Sequence, residues 1–292
     1  MQQRTQLLII DPQNDFCDLP ASHCPQDPLQ RASLAPALPV AGAHADMLRL
    51  AGLIRQGGAA LSDIVVTLDS HQRLDIAHPG FWRRLEGAQV LPVTPFTPIT
   101  AAQVRDAEFQ PRDPQGLPRA LAYLDELERR GRYTLMVWPV HCEIGSWGHN
   151  VHADVRAACN AWEEREQRNV QFVSKGENPW TEHYSAVQAE VPDALDGHTL
   201  ANQALLQQLG SCDALLIAGE ASSHCVKAST EHIVEHLGPA FAERITLLAD
   251  CMSPVGGFEA QHHAFLADMR ARGLRIAHAA DVARELQAGA AH

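Results

Sequence analysis

The chain has no long apolar run. Its most hydrophobic stretches, residues 7–10 and 214–218, are strand-sized and fall far short of the ~20 residues that cross a bilayer, which excludes a protein built on membrane-spanning helices. Basic residues are also few. Lys plus Arg number 23 against 35 Asp plus Glu, a net charge of -12, and no basic cluster interrupts that balance. Gripping a phosphate backbone needs such clusters, so no nucleic-acid partner is expected. There is no C-x-x-C pair. The seven cysteines (17, 24, 142, 159, 212, 225 and 251) are irregularly spaced and suggest neither a disulfide framework nor a Cys-rich zinc site; most read as reduced, buried small hydrophobes. The start of the chain runs straight into Leu7-Leu8-Ile9-Ile10-Asp11, without an apolar core of signal-peptide length, and the expectation is a cytoplasmic protein. What remains is 292 residues, 46% hydrophobic, enough for a sizeable core in one large domain or two small ones. Small-molecule chemistry fits this composition best.

Short apolar runs alternate with longer helical patterns, the signature of an open, mostly parallel α/β sheet covered by helices on both faces. The expected strands are 6–11, 64–69, 134–138, 170–175, 214–219 and 245–250, with a short last one at 274–277. The expected helices are 43–56, 117–130, 150–168, 199–209, 224–237 and 259–272, several followed by glycine where a helix stops. Two stretches break the rhythm, at about 17–39 and 83–116, both rich in proline. Neither has the periodicity of a separate unit, so the expectation is a single domain over 1–292 with two elaborations, of the length that usually forms lids or interfaces.

In an open α/β sheet, ligands sit beyond the carboxyl ends of the strands, and here those ends are chemically varied. Strand one ends in Asp11, strand two in Asp69, strand four in Lys175, and strand five runs into Gly219-Glu220-Ala221-Ser222-Ser223-His224-Cys225. An Asp or Ser after a strand is often only a helix N-cap, but Cys225 falls at the start of a helix, where unsatisfied amides and the helix dipole favour a thiolate. Lys175 and Asp11 supply partners from neighbouring strand ends: an ammonium lowers a thiol pKa, and a carboxylate takes a proton and returns it to a leaving group. His224 is the alternative base, but neighbours in sequence at a helix start point in different directions. A second cluster is Asp69-Ser70-His71, with His78 in a turn and His141 after a Trp138-Pro139 pair. Two or three imidazoles with one carboxylate suit zinc, manganese or iron. Other histidines, such as His262 and His263 or His232 and His236, read as solvated.

Together these segments resemble the nicotinamidase-like branch of the isochorismatase-like cysteine hydrolase superfamily. The resemblance covers most of the chain and rests on five segments in order: Asp11-Pro12-Gln13-Asn14-Asp15-Phe16, Asp69-Ser70-His71, residues 138–148 from Trp138-Pro139 to Trp147-Gly148, Val173-Ser174-Lys175-Gly176, and Gly219 to Val226. It implies a Rossmann-like three-layer sandwich and a catalytic triad of Asp11, Lys175 and Cys225. It also implies a metal site of Asp69, His71 and His141 with His78 as a further ligand, and an oxyanion hole from the backbone amides of Ala221 and Cys225 beside a cis peptide at Glu220–Ala221. Phe16 and Trp138 would wall a pyridine pocket, with Tyr184 nearby. The implied cofactor is one divalent metal ion, zinc first, with manganese or iron as alternatives. The implied reaction is hydrolysis of a small amide to acid and ammonia through a Cys thioester, first nicotinamide to nicotinate; another small amide or a carbamoyl compound is the alternative, and a catalytically silent scaffold the rival. Cys225 separates the chain from true isochorismatases, which lack this nucleophile.

The chain departs from the family pattern at several points. The metal loop reads Asp69-Ser70-His71-Gln72 where the family has Asp-Trp-His-Pro, His78 comes later than usual, and the nucleophile turn carries Glu220 where an apolar residue is usual and Ser223 where Asp is. Glu220 either contacts a cationic or hydrogen-bond-donating substrate or turns away and pairs with Lys227 or another base. The 83–116 elaboration is expected to reshape the pocket entrance or to build an interface, and the protein to be a homo-oligomer.

Overall fold

Aliphatic runs with no polar face are satisfied only in a sheet covered on both sides, and the structure, a computed structural model that describes residues 4–29, 31–87 and 89–290, places them there. In chain order the elements are β1 (Thr5–Ile10), α1 (Ala43–Gly57), β2 (Leu61–Asp69), β3 (Trp82–Glu86), β4 (Gln89–Leu91), β5 (Thr97–Ile99), α2 (Ala101–Arg105), β6 (Phe109–Pro111) and α3 (Leu117–Arg130). Then come β7 (Leu135–Val137), α4 (Ala153–Glu166), β8 (Gln171–Lys175), α5 (Gln203–Gly210), β9 (Ala214–Gly219), α6 (Cys225–Leu237), α7 (Pro239–Ala242), β10 (Ile245–Leu248), α8 (Glu259–Ala271), β11 (Arg275–Ala277) and α9 (Ala279–Ala290).

Six strands form one sheet in the order β11-β10-β9-β1-β2-β8, and every pairing in it is parallel. All six residues of β1, the central strand, are buried. Two groups of helices cover the sheet: α1 packs against α4 and α9, and α6 against α5 and α7. The chain builds outward from β1 through β2 to β8, then crosses back to lay β9, β10 and β11 on the other side. Strand order therefore reverses between β1 and β9, and a crevice opens there at the carboxyl ends.

Two expectations about this region change. The strand expected at 134–138 exists as β7, but it lies outside the main sheet and pairs antiparallel with β5 in a two-stranded ribbon. An apolar run of three residues reports burial and says nothing of which strand lies beside it. Nor is 83–116 irregular. It folds into β3, β4, β5, β6 and α2, with β4-β3-β6 as a small antiparallel sheet, and these elements close with α3 and β7 over a second apolar core that includes Trp82, Ile99, Phe109, Leu124, Leu127 and Val137. The structure also adds α9 to the helices that periodicity predicts.

Candidate active site

The motif Asp11-Pro12-Gln13-Asn14-Asp15-Phe16 follows β1, and nearly every polar member has a structural task. Asp11 takes a left-handed backbone conformation, φ 44°, which Asp tolerates better than most residues, and its Oδ1 accepts the Thr67 hydroxyl from β2 at 2.5 Å. Gln13 clamps the backbone of Asp69 with both ends of its amide, donating to the carbonyl and accepting from the N–H, each at 2.8 Å. Asp15 accepts the Cys142 N–H at 2.7 Å and the Ala37 N–H at 3.0 Å. It thereby ties the His141 loop and the 17–39 elaboration to the end of β1. Sequence reading assigned no role to Gln13 or Asp15; their signal was only their place in the motif.

Asp69 and Lys175 end β2 and β8 as register partners, so their side chains leave the sheet on the same face. Lys175 Nζ lies 2.9 Å from Asp11 Oδ2, 2.9 Å from Asp69 Oδ1 and 3.6 Å from Cys225 Sγ, and donates to the His183 carbonyl at 2.9 Å. All four side chains are buried. Burial alone would discharge Lys175, but the Asp11 and Asp69 carboxylates outweigh it and hold the ammonium well above its usual pKa. Burial likewise pushes the Cys225 thiol up; Lys175 pulls it down, and Asp11 pushes it up again. The Asp11 carboxyl is raised by burial and by Asp69, against the pull of Lys175. Burial therefore works against the thiolate that a lysine partner alone would favour. Cys225 is the first residue of α6, and the peptide bond between Glu220 and Ala221 is cis. Neither the Ala221 nor the Cys225 N–H donates to another described residue, which leaves two amides free beside the Cys225 thiol.

The free oxygen of Asp69, Oδ2, turns the other way, 3.0 Å from His71 Nε2 and 3.4 Å from His141 Nε2. His71, His78 and His141 are buried, with nitrogen atoms within 4.8 Å of one another. Each Nδ1 has an oxygen partner: Asp75 Oδ2 at 3.2 Å for His71, the Gln72 carbonyl at 3.2 Å for His78, and the Pro139 carbonyl at 2.8 Å for His141. For His78 an oxygen acceptor at Nδ1 places the proton there in the neutral ring and leaves Nε2 as the lone pair, whereas His71 and His141 also face Asp69 Oδ2 at Nε2. Burial opposes positive charge on His71, yet the flanking Asp69 and Asp75 carboxylates hold its pKa well above the usual value. The three imidazoles form a group that could hold a metal ion, with the Asp69 carboxylate beside two of them.

A narrow cavity joins the two clusters, lined by Phe16, Trp138, Tyr184 and His224 with Leu38 and Val255, and reaching Asp69, His141, Ala221 and Cys225. Trp138 Nε1 donates to the Tyr184 hydroxyl at 3.2 Å, which fixes two walls against each other. His224 stands edge-on to Trp138 and to Phe258, its Nδ1 is paired with the Ser223 hydroxyl at 2.9 Å, and burial pushes its pKa down to about 4, so it forms a neutral aromatic wall. The free space is about 20 Å³, little more than one water; a ring enters only as these walls part. Larger cavities exist, such as one of about 450 Å³ beside Leu74, Phe81 and Trp180, but that one has no nucleophile.

Sequence reasoning missed Glu182, which also lines the cavity. It is buried, its Oε2 has no hydrogen-bond partner among the described residues, and burial pushes its carboxyl up to about 7. Its signal, two residues before Tyr184, was a lone acid in a loop. Glu220 requires a correction. It does not line the cavity, and it does not pair with Lys227, which instead meets Glu231 at 3.1 Å. Its side chain turns towards α1, where its carboxyl meets that of Asp46 and accepts the Ser253 N–H at 3.1 Å. Sequence gives no sign of that direction, because Asp46 lies far away along the chain.

With this geometry in view, solved structures supply the comparison. The yeast nicotinamidase superposes with a TM-score of 0.60 at 18% identity, over 94% of this chain and 99% of that one. The chain has the fold of the nicotinamidases. A nicotinamidase/pyrazinamidase from Acinetobacter baumanii gives a TM-score of 0.60 at 16% identity, over 96% of this chain and 98% of that one. A pyrazinamidase of Pyrococcus horikoshii, solved in complex with zinc, gives 0.52 at 18% identity, over 94% and 99%. No protein-family profile and no curated protein sequence matches the chain. The nicotinamidase fold places β1, β2, β8 and β9 side by side, and in this chain their carboxyl ends carry Asp11, Asp69, Lys175 and the turn to Cys225. No described helix is long and apolar enough to cross a membrane.

Proposed function

We propose that the protein is a metal-dependent amidase that hydrolyses a small amide to its acid and ammonia through a thioester on Cys225, with nicotinamide as the leading substrate. The observation that carries this reading is the position of Lys175 Nζ, within 2.9 Å of Asp11 and 3.6 Å of Cys225, beside a histidine cluster and under aromatic walls. The names of the structural neighbours, nicotinamidases and pyrazinamidases, support the choice of substrate. Asp69, His71, His78 and His141 would hold one divalent cation, zinc first, which supplies a Lewis-acid anchor for a ring nitrogen or similar donor.

In the first half-reaction the Cys225 thiol passes its proton to Asp11 as its sulfur bonds to the amide carbon. The Ala221 and Cys225 N–H groups receive the oxyanion. Asp11 returns the proton to the amide nitrogen, the carbon–nitrogen bond breaks and ammonia leaves. Water then attacks the thioester carbon while Asp11 takes its proton; the acid departs and Cys225 recovers the thiol. Lys175 stays charged throughout and holds Asp11 and the sulfur in register. The seven cysteines, none of them in a disulfide, support a cytoplasmic setting.

The deciding experiment is an ammonia-release screen over nicotinamide, pyrazinamide and non-aromatic amides, with metal analysis of the same sample. Turnover of the pyridine and pyrazine amides is expected. Turnover of non-aromatic amides alone moves the substrate to the aliphatic or carbamoyl class, and no ammonia from any amide overturns the amidase reading.

A further inference from the structure

Behind the turn that carries Ala221, on the side away from the cavity, two carboxyl groups meet. Glu220 is fully buried, and its carboxyl faces that of Asp46 of α1; burial, and then that neighbour, raise its pKa. The same pair grips Ser253: its N–H donates to Glu220 Oε2 at 3.1 Å and its hydroxyl to Asp46 Oδ2 at 2.6 Å. The Ser253 carbonyl accepts the Ser222 N–H at 2.9 Å. Residues 220 and 222, on either side of Ala221, are therefore tied to one serine, and that serine is tied to α1, where Arg49 engages Asp46.

We propose that Glu220 is a positioning residue: together with Asp46 it grips Ser253, fixes that serine against both flanks of Ala221 and so sets the direction of the Ala221 N–H. Its chemical consequence, an aligned oxyanion donor, rests on the amidase reading; its geometry does not. The other ionisable groups facing Glu220 are Asp18 and Cys17 from the segment after β1 and Cys251 from the segment after β10. Burial, and then Asp46, hold the Glu220 carboxyl neutral well above the usual carboxylate range. Raising the pH ionises it and sets two anions face to face. Glutamine keeps a donor for Asp46 and an acceptor for Ser253, and cannot ionise.

The test uses the full-length protein with Glu220→Gln and Glu220→Ala, reading kcat and KM from pH 6 to 10 on its best amide and following the Ala221 and Cys225 amide signals by NMR. Since losing one oxyanion donor costs about 10²–10³ in kcat, Glu220→Ala is expected to lose at least about tenfold in kcat with KM within about twofold. Glu220→Gln should stay within about threefold of wild type near neutrality. In the wild type the Ala221 signal should move as the pH rises; in Glu220→Gln the part of that movement that comes from Glu220 should be lost, leaving only what Cys225 and Asp11 contribute. Wild-type kcat in Glu220→Ala, equal impairment in both variants, or the same Ala221 titration in wild type and Glu220→Gln overturns the proposal. Should Glu220→Ala fail to fold, the wild-type and Glu220→Gln titrations decide alone. If the wild type hydrolyses no amide, the functional reading fails while those signals still decide the brace.

Discussion

Asp69 and Lys175 end adjacent parallel strands in register and meet at 2.9 Å, Oδ1 to Nζ. The contact divides one carboxylate between two tasks. Oδ1 holds the ammonium that faces Cys225, while Oδ2 faces His71 and His141. The nucleophile and the histidine cluster are therefore coupled through a single side chain.

Replacing Asp69 and replacing Cys225 should consequently fail in different ways. Cys225→Ala removes the nucleophile alone, so ammonia release should fall by roughly 10⁴-fold or more with bound divalent metal unchanged. Asp69→Ala removes the proposed metal donor and one of the two anions at Lys175, so metal content and activity should fall together. Ammonia assays and elemental analysis on the same preparations check this; an Asp69→Ala protein with full activity contradicts the coupling.

The Asp75 side chain touches the cluster at His71 Nδ1, at 3.2 Å, while its backbone carbonyl accepts the His78 N–H at 2.9 Å. Its Oδ1 accepts the Ala77 N–H at 2.9 Å, which aims the carboxylate at the ring. Asp75→Asn keeps the size and most of the hydrogen bonding but weakens the orientation and basicity of His71. Affinity for zinc, measured by competition with a chelator, should drop about 10- to 100-fold. Unchanged affinity would mean that His71 is not a metal ligand.

A third expectation concerns stability and pH. Glu190 is buried, and burial pushes its carboxyl from the usual 4.5 up to about 7 against the pull of Arg132 and Lys227. The native state thus binds this proton more tightly than the unfolded chain. The stability it contributes is full below about 4.5 and is lost as the pH rises through about 7, a difference of roughly 3 kcal/mol at most. Urea unfolding of wild type and Glu190→Gln at several pH values should show a shallower decline in the variant between pH 5 and 8. Parallel curves would place the titration elsewhere.

Gly219 closes β9 at φ +118°, and a Cβ there would lie 1.9 Å from the Ile10 carbonyl oxygen. Backbone cannot yield as a flexible side chain does. Gly219→Ala should cost about 3 kcal/mol or more and abolish activity in whatever fraction folds, because Ile10 precedes Asp11 and Gly219 precedes the Ala221 turn. Thermal unfolding alongside ammonia release checks both effects; a stable, active variant would show that the turn relaxes.

What the sequence determined by itself is what short-range physics encodes. Alternating periods located β1, β2, β8, β9 and β10, because a strand buried on both faces needs an uninterrupted aliphatic run. The strand-end rule then picked out Asp11, Asp69, Lys175 and Cys225, and their varied chemistry marked them as a set. What only the tertiary structure decided was partnership. Periodicity gives the face a residue shows, not the neighbour it meets, so β7 was placed with the main sheet although β5 claims its hydrogen bonds. Residues 83–116 looked irregular because each element is too short to show a period, and they become ordered only over the core shared with α3. Glu220 is the sharpest case. Beside the turn that leads to Cys225, a carboxylate reads as a substrate contact, but in the structure it is a buried acid that shares Ser253 with Asp46, and those three residues meet only once folding has brought together parts far apart in the chain.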